Sequence, residues 1–218
     1  MPETEFADSR PRPYHHRDLR RALIDAALAL VTEQQNWTFS LREVARRAGV
    51  SHNAPYNHFA EKQDLLVAVA AAGFERLRDR MRAAIAGIEK ADAALLASGR
   101  AYVECAVANP ALYRLMFGPE LAKAKGERPV AARIAGADAK AVLAGIVLRG
   151  AQTGVFAVSP DDAGDQGKIV LAALAAVHGA TMLLLDGFTE PGFTIGELLD
   201  GVERTVLDGL IPRSGRPS

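Results

Sequence analysis

The sequence predicts an all-α protein, with a three-helix helix-turn-helix module at the amino-terminal end and a larger helical domain after it, about nine helices in all. Three observations lead there. Alternation of β-branched and polar residues is nearly absent, while Ala, Leu, Arg and Glu recur at three- and four-residue spacing along most of the chain. Two segments, Ser40-Leu41-Arg42-Glu43 and Thr194-Ile195-Gly196-Glu197, have the Ser/Thr-x-x-Glu form in which side chain and backbone satisfy each other's free donors at a helix start. Between Leu41 and Phe59, a capped helix, a glycine turn and a second short capped segment follow one another, the order of a helix-turn-helix.

The first helix is expected over about 17–32, with Leu19, Leu23, Ala26, Ala27 and Leu30 on one face; Gln34, Gln35 and Asn36 break its pattern. The second starts at Leu41, buries Leu41, Val44, Ala45 and Ala48, and ends at Gly49, which accepts the left-handed conformation of a helix end. Val50 can plug the core, and Ser51 can cap a third helix of about two turns over 52–59, kept short by Pro55. A connector helix follows from about Lys62 to Gly87, carrying Leu65, Leu66, Val69, Phe74, Leu77 and Met81 at helical spacing. Further helices are expected at about 92–108, 110–117, 129–153, 161–187 and 195–210. For the fourth of these, Ser159 is the expected cap and Pro160 the first helical residue. Residues 118–128 read as a mobile loop. The expected organisation is an arm at 1–16, the helix-turn-helix module at 17–66, the larger domain at 67–211 and a tail at 212–218.

With 218 residues, 49% of them apolar, the chain can bury a substantial core without metal or disulfide. The single cysteine, Cys105, fits a reducing cytoplasm, and the polar, proline-bearing start has no apolar run of the secretory type. The longest apolar run, Ile169 to Leu185, falls short of the roughly 20 residues that span a bilayer, so no membrane partner is expected. Net charge is zero overall, but residues 10–62 hold nine Arg and Lys against five acids, and four of the five histidines lie there too. That end is the candidate polyanion-binding end.

In a helix-turn-helix the second helix presents its first residues to base edges in the major groove. Here it offers His52, Asn53 and Asn57, short side chains able to hydrogen-bond; Asn can read adenine, and His can donate to guanine or phosphate. Arg42, Arg46, Tyr56, His58 and Lys62 are placed to meet phosphates. With the cap residues Ser40 and Ser51 these form the candidate DNA-contacting set. The bland alternatives are a solvated helix start for His52 and Asn53 and a core aromatic for Tyr56. His15-His16 lacks further ligands at metal-binding spacing and reads as part of a solvated or DNA-facing arm.

Leu41-Arg42-Glu43-Val44-Ala45-Arg46-Arg47-Ala48-Gly49-Val50-Ser51, then Tyr56-Asn57-His58-Phe59 and Lys62-Gln63-Asp64-Leu65-Leu66, resembles the DNA-binding module of tetracycline-repressor (TetR) type regulators over about residues 17–70. The resemblance implies a homodimer, phosphate contacts at Tyr56, His58 and Lys62, and a larger domain whose ligand usually releases DNA. Two departures stand out. Asn53 and Ala54 occupy places where the family often has glycine and threonine, and Asn36-Trp37-Thr38-Phe39 is more aromatic than usual. The second half, with Asn109-Pro110-Ala111-Leu112-Tyr113-Arg114-Leu115-Met116-Phe117 and Val177-His178-Gly179, resembles a branch with a Trp-His-Gly motif, although Ala176 or Val177 stands in the tryptophan's place.

The expected function is a DNA-binding transcriptional regulator, a homodimeric repressor released from a palindromic operator by a small apolar effector. Candidate effector contacts are Phe74, Tyr102, Cys105, Met116, Phe117, Phe156, His178 and Met182; each could instead be core. An activator, a constitutive DNA-binding protein and an enzyme or carrier with an appended DNA module remain alternatives. Against an enzyme stands the lack of any Gly-x-Ser-x-Gly, His-Glu-x-x-His or dinucleotide glycine fingerprint, and no cofactor is expected.

Overall fold

The computed structural model describes residues 16–121, 128–189 and 194–210, and among them there is helix and no strand. Eight α-helices follow in order: α1 His16–Gln34, α2 Leu41–Arg47, α3 Lys62–Ala84, α4 Ala91–Ala108, α5 Pro110–Phe117, α6 Val130–Gln152, α7 Ala163–Leu185 and α8 Ile195–Leu210. Short 3-10 helices occupy Ala54–Asn57 and Pro119–Leu121. The expected tail 212–218, nearly all of the arm 1–16, His15 with it, and most of the loop 118–128 lie outside the described residues.

Local signals place most helix starts. Ser40 accepts from Glu43 N at 3.2 Å, while Ser40 N donates to the Glu43 carboxylate at 2.7 Å, completing the capping box of α2. Thr194 and Glu197 repeat the arrangement at α8. Asn109 caps α5 by accepting from Leu112 N. Gly49, at φ +69, closes α2 with a turn that a side chain would strain.

Two expected starts differ. The segment 52–59, read as two turns of α-helix, is a 3-10 stretch over Ala54–Asn57. Pro55 has no N–H to give to the Ser51 carbonyl, and three-residue bonds take over: Ala54 N to Ser51 O, Tyr56 N to Asn53 O and His58 N to Pro55 O. No side chain caps it, so the hydroxyl role expected of Ser51 is not taken up. At α7, Asp162 rather than Ser159 is the cap, accepting from Asp165 N at 2.9 Å. Gln166 holds the preceding turn by donating to the carbonyls of Ser159 and Pro160, which leaves Pro160 outside the helix.

One continuous core runs from Leu23, Ala27 and Val31 of α1 through Leu65, Val69, Phe74 and Leu77 of α3 to α4, α5 and α6, and reaches Val177 of α7 and Leu199 of α8. The expected division at residue 66 falls inside α3, with core residues on both sides of it. A second cluster gathers Leu95, Leu143, Ile146, Val147, Phe156 and Val170 at the far end. Contrary to the sequence reading, α7 is long and apolar enough to cross a membrane by length and composition, with a mean hydropathy of 1.9. It packs against α4, α6 and α8, and leaves an apolar stripe uncovered: Leu171 is 63% exposed and Leu183 51%.

Phe156 is fully buried because α6 offers it a glycine. A Cβ on Gly150 would stand 2.0 Å from the Phe156 ring, and a ring in the core has no room to retreat. Gly150→Ala is therefore expected to destabilise the fold by about 1–3 kcal/mol, through displacement of Phe156, despite the better helix propensity of alanine. Urea denaturation of the two proteins measures it; an equal or higher midpoint for the variant would contradict the packing account.

Candidate nucleic-acid interface and effector cavity

The residues expected to read DNA surround the Gly49 turn and the 3-10 helix. Pro55 and Phe59 point inward and are buried, anchoring the segment on the core; between them Tyr56 (52% exposed) and Asn57 face solvent, as do Ser51, His52 and Asn53 just before. Arg42 and Arg46 are exposed on α2. Arg47 is already engaged, its guanidinium forked onto the Glu33 carboxylate, tying the ends of α1 and α2. Ser40 is also occupied, since its hydroxyl both accepts from Glu43 N and donates to the Glu43 carboxylate. His58 is half-buried. Lys62, at the first turn of α3, holds its Nζ 5.2 Å from the centre of the Phe39 ring; partial burial lowers its pKa, against the pull of Glu43, which raises it.

The larger part of the chain holds two adjoining apolar cavities. The inner one has about 520 Å³ of empty space, part of it open to solvent, between α3, α4, α6, α7 and α8, walled by Met81, Leu95, Leu96, Tyr102, Val177 and Leu199 among others. The outer one, about 350 Å³, lies between α3 and α6 and is lined by Phe74, Leu77, Phe117, Gly136, Ala139 and Lys140. Of the expected effector residues, Phe74, Tyr102 and Phe117 line this space. Met116 packs on Gly73, Phe156 on Gly150, Met182 sits partly buried against the main core, and Cys105 is half-buried; none of these four lines either cavity.

His178 stands behind the cavity wall. Its Nδ1 lies 2.6 Å from the Tyr113 hydroxyl and 3.0 Å from that of Tyr102, and the two hydroxyls are 2.9 Å apart. A single imidazole lone pair can take one of these protons. With the His178 proton on Nε2, the shorter contact makes Tyr113 the donor to Nδ1 and leaves Tyr102 to donate to the Tyr113 oxygen. Burial raises the pKa of both phenols, Tyr113 to about 12, so both keep the protons the network needs. The Phe117 ring completes the cluster, 4.6 Å from His178 and 4.8 Å from Tyr113, centre to centre. Tyr113 is not among the expected effector contacts. The Asn109 cap, by fixing the phase of α5, places Tyr113, Met116 and Phe117 on one face and was the signal available.

Comparison with known proteins decides the family. Residues 95–206, more than half of the chain, match the model described as "Tetracyclin repressor-like, C-terminal domain", and residues 23–69 match "Bacterial regulatory proteins, tetR family". The chain belongs to the TetR family. A solved protein of unknown function from Rhodococcus sp. RHA1 is 32% identical, covering 93% of this chain and all of its own, with a TM-score of 0.76. A TetR family transcription regulator from Marinobacter aquaeolei VT8 shares the fold at 17% identity, with 92% of this chain and all of that one covered and a TM-score of 0.64. The HTH-type transcriptional regulator BetI of Rhizobium meliloti is 36% identical over 86 residues, 38% of this chain and 42% of that regulator's length. This chain is thus a TetR-type transcriptional regulator and not an enzyme.

In this TetR-family chain two polar contacts tie the amino-terminal helices to the larger part. Asn109, while capping α5, donates through Nδ2 to the Thr32 hydroxyl of α1 at 2.6 Å. Gln63, in the first turn of α3, donates to the Glu120 carbonyl just beyond α5. Arg128 closes the same end of α5 by donating to the carbonyls of Met116, Phe117 and Gly118, and its charge adds to the effect of burial in lowering the His178 pKa.

The lowered His178 pKa has a definite sign in stability. The unfolded chain takes up a proton near 6.5 and the folded one only at lower pH, so the native state is fully favoured above about pH 6.5 and loses stability as pH falls from there through the folded value. His178→Gln, which keeps an acceptor for Tyr113, is expected to be less destabilised than the parent as pH falls from about 7 to about 5. Urea midpoints across that range test it; parallel pH profiles for the two proteins would remove His178 as the source.

Proposed function

We propose that the protein is a homodimeric repressor that binds a palindromic operator in the cytoplasm and leaves it when a small, largely apolar effector fills the cavity between α3, α4, α6, α7 and α8. The observation that carries the DNA reading is the exposed polar edge His52-Asn53 and Tyr56-Asn57, held out from the core by buried Pro55 and Phe59. In a close-packed module a half-exposed tyrosine between two buried anchors has no packing role, and its hydroxyl suits phosphate. Arg42 and Arg46 add positive charge on the neighbouring helix.

Dimerisation is supported by α7 and α8. Leu171 and Leu183 share the open side of α7 with Ala172 and Ala175, small residues that permit close helix packing across a two-fold axis. Leu199 lies elsewhere: at 1% exposure it belongs to the core of one protomer and lines the inner cavity. Placing Arg at both Leu171 and Leu183 is expected to give a folded monomer that no longer binds operator tightly. Sedimentation of parent and variant tests this, and an unchanged mass for the variant would place the interface elsewhere.

Operator binding is expected to weaken steeply with salt and to protect two half-sites about 10 bp apart, or a multiple of that. Tyr56→Phe and Lys62→Gln should weaken binding to all sequences alike, with Lys62→Gln lowering the log–log salt slope by about 0.9. Asn53→Ala should instead change which bases are preferred. Footprinting and salt titration on the protein's own upstream DNA measure all three, and a footprint untouched by every one of them would defeat the reading.

A further inference from the structure

The two cavities adjoin, and movement of the side chains between them would join them into one bent passage. Met81, Tyr102, Leu143 and Leu174 line both, so these four side chains stand between an inner chamber, open along half-exposed Leu96 and Gly99, and an outer cleft. The inner chamber is aliphatic. Its hydroxyl, Ser98 Oγ, already donates to the Leu95 carbonyl at 2.8 Å, leaving no free donor there. Nor does the passage open onto a polar pocket sideways, because the hydroxyls of Tyr102 and Tyr113 are spent on each other and on His178. Of the residues lining the two cavities, Lys140 alone is charged. Lys140 stands exposed at the lip of the outer cleft, one turn of α6 beyond Gly136, and none of the ion pairs among the described residues uses it.

We propose that the effector is a long-chain, unbranched aliphatic carboxylate, its tail passing Met81 into the inner chamber and its carboxylate held by Lys140 at the mouth. This rests on the reading of the cavity as an effector site and adds the ligand's class. Each end follows from the cost of the alternative. An anion drawn inward would lose its hydration beside Leu95, Val177 and Leu199 with no donor to replace water, whereas at Lys140 it keeps water on one side and gains a charge-assisted bond. The junction selects shape. Met81 is unbranched and can swing aside, so a flexible chain threads it one methylene at a time, while a rigid ring system wider than a chain cannot take the bend. Once occupied, the passage has a tail against Leu77 and Met81, on the helix that begins at Lys62.

The test is direct binding to the full-length protein without DNA, by calorimetry and thermal shift, using octanoate, decanoate, dodecanoate, 1-dodecanol and benzoate below their self-association limits. Affinity should rise two- to fourfold per methylene from octanoate to dodecanoate. Lys140→Gln should weaken dodecanoate about tenfold and leave dodecanol unchanged. Leu96→Trp, which fills the inner chamber from its half-exposed rim, should spare octanoate and exclude dodecanoate. Operator binding by each variant, measured separately, reports folding and keeps the outcomes apart. Intact operator binding with no carboxylate bound, with benzoate preferred, or with affinity unmoved in Lys140→Gln overturns the proposal and leaves the regulator reading standing. Loss of operator binding by the parent protein strikes that reading instead.

Discussion

Everything in this molecule depends on α3 being buried along nearly its whole length. Its 23 residues span about 35 Å. The first turns, through Leu65, Leu66 and Val69, complete the core under α1, α2 and Phe59; the later ones, through Phe74, Leu77 and Met81, wall both cavities. A helix packed at crystal density on several sides cannot bend freely at one place while staying fixed at another. A shift imposed at Met81 would therefore be passed along the helix toward Lys62. Gly73 shows how tight the packing is midway: a Cβ there would meet the Met116 sulfur at 2.7 Å.

The caps were legible in the sequence because they are local chemistry. Ser40 with Glu43, Thr194 with Glu197 and Asn109 before Pro110 each act within four residues, and the helices begin where those signals stand. Where two local signals competed, sequence alone could not choose. Ser159-Pro160 and Asp162 both offer a start to α7, and the side chain of Gln166, reaching back to two carbonyls, tips the balance. At Pro55 the proline's position near the middle of the segment, more than its presence, sets the 3-10 geometry. The candidate DNA-facing edge was legible as a pattern; its exposure follows from Pro55 and Phe59 turning inward, which the spacing of apolar residues foreshadows.

The cavity was far less legible. A list of aromatic and sulfur-bearing residues cannot tell a wall from a filled core, since the difference lies in the volume that neighbours leave empty. Phe156 and Met116 meet glycines that fit them, at Gly150 and Gly73, and no space remains. Tyr102 and Phe117 meet Leu143, Ala139 and Gly136 across a gap. Leu199 illustrates the same limit on α8. Its apolar pattern is wide enough to serve either the protomer's core or a partner, and the register of α8 against α4 and α7 sends Leu199 inward.

On the proposed function, coupling between the cavity and the candidate DNA-facing edge would need little energy, and α5 is where it would be exerted beside α3. Tyr113 and Phe117 on its inner face form the cavity's polar backing and part of its wall, while its two ends are tied outward by Asn109 to Thr32 and by Gln63 to Glu120. Each such bond contributes about 1 kcal/mol net, and a tenfold change in operator affinity requires about 1.4 kcal/mol of difference between states. Weakening one or two of these ties is thus of the right size to matter. The two ties lie at opposite ends of α5, so tilting this helix about its middle strains both at once, whereas sliding it along its axis relaxes one as it stretches the other. On the proposed function, an apolar ligand pressing on Phe117, near one end, would favour the tilt. Linkage would then make the effect mutual: DNA holding α1 and the start of α3 in place would steady both ends of α5 and so resist entry to the cavity.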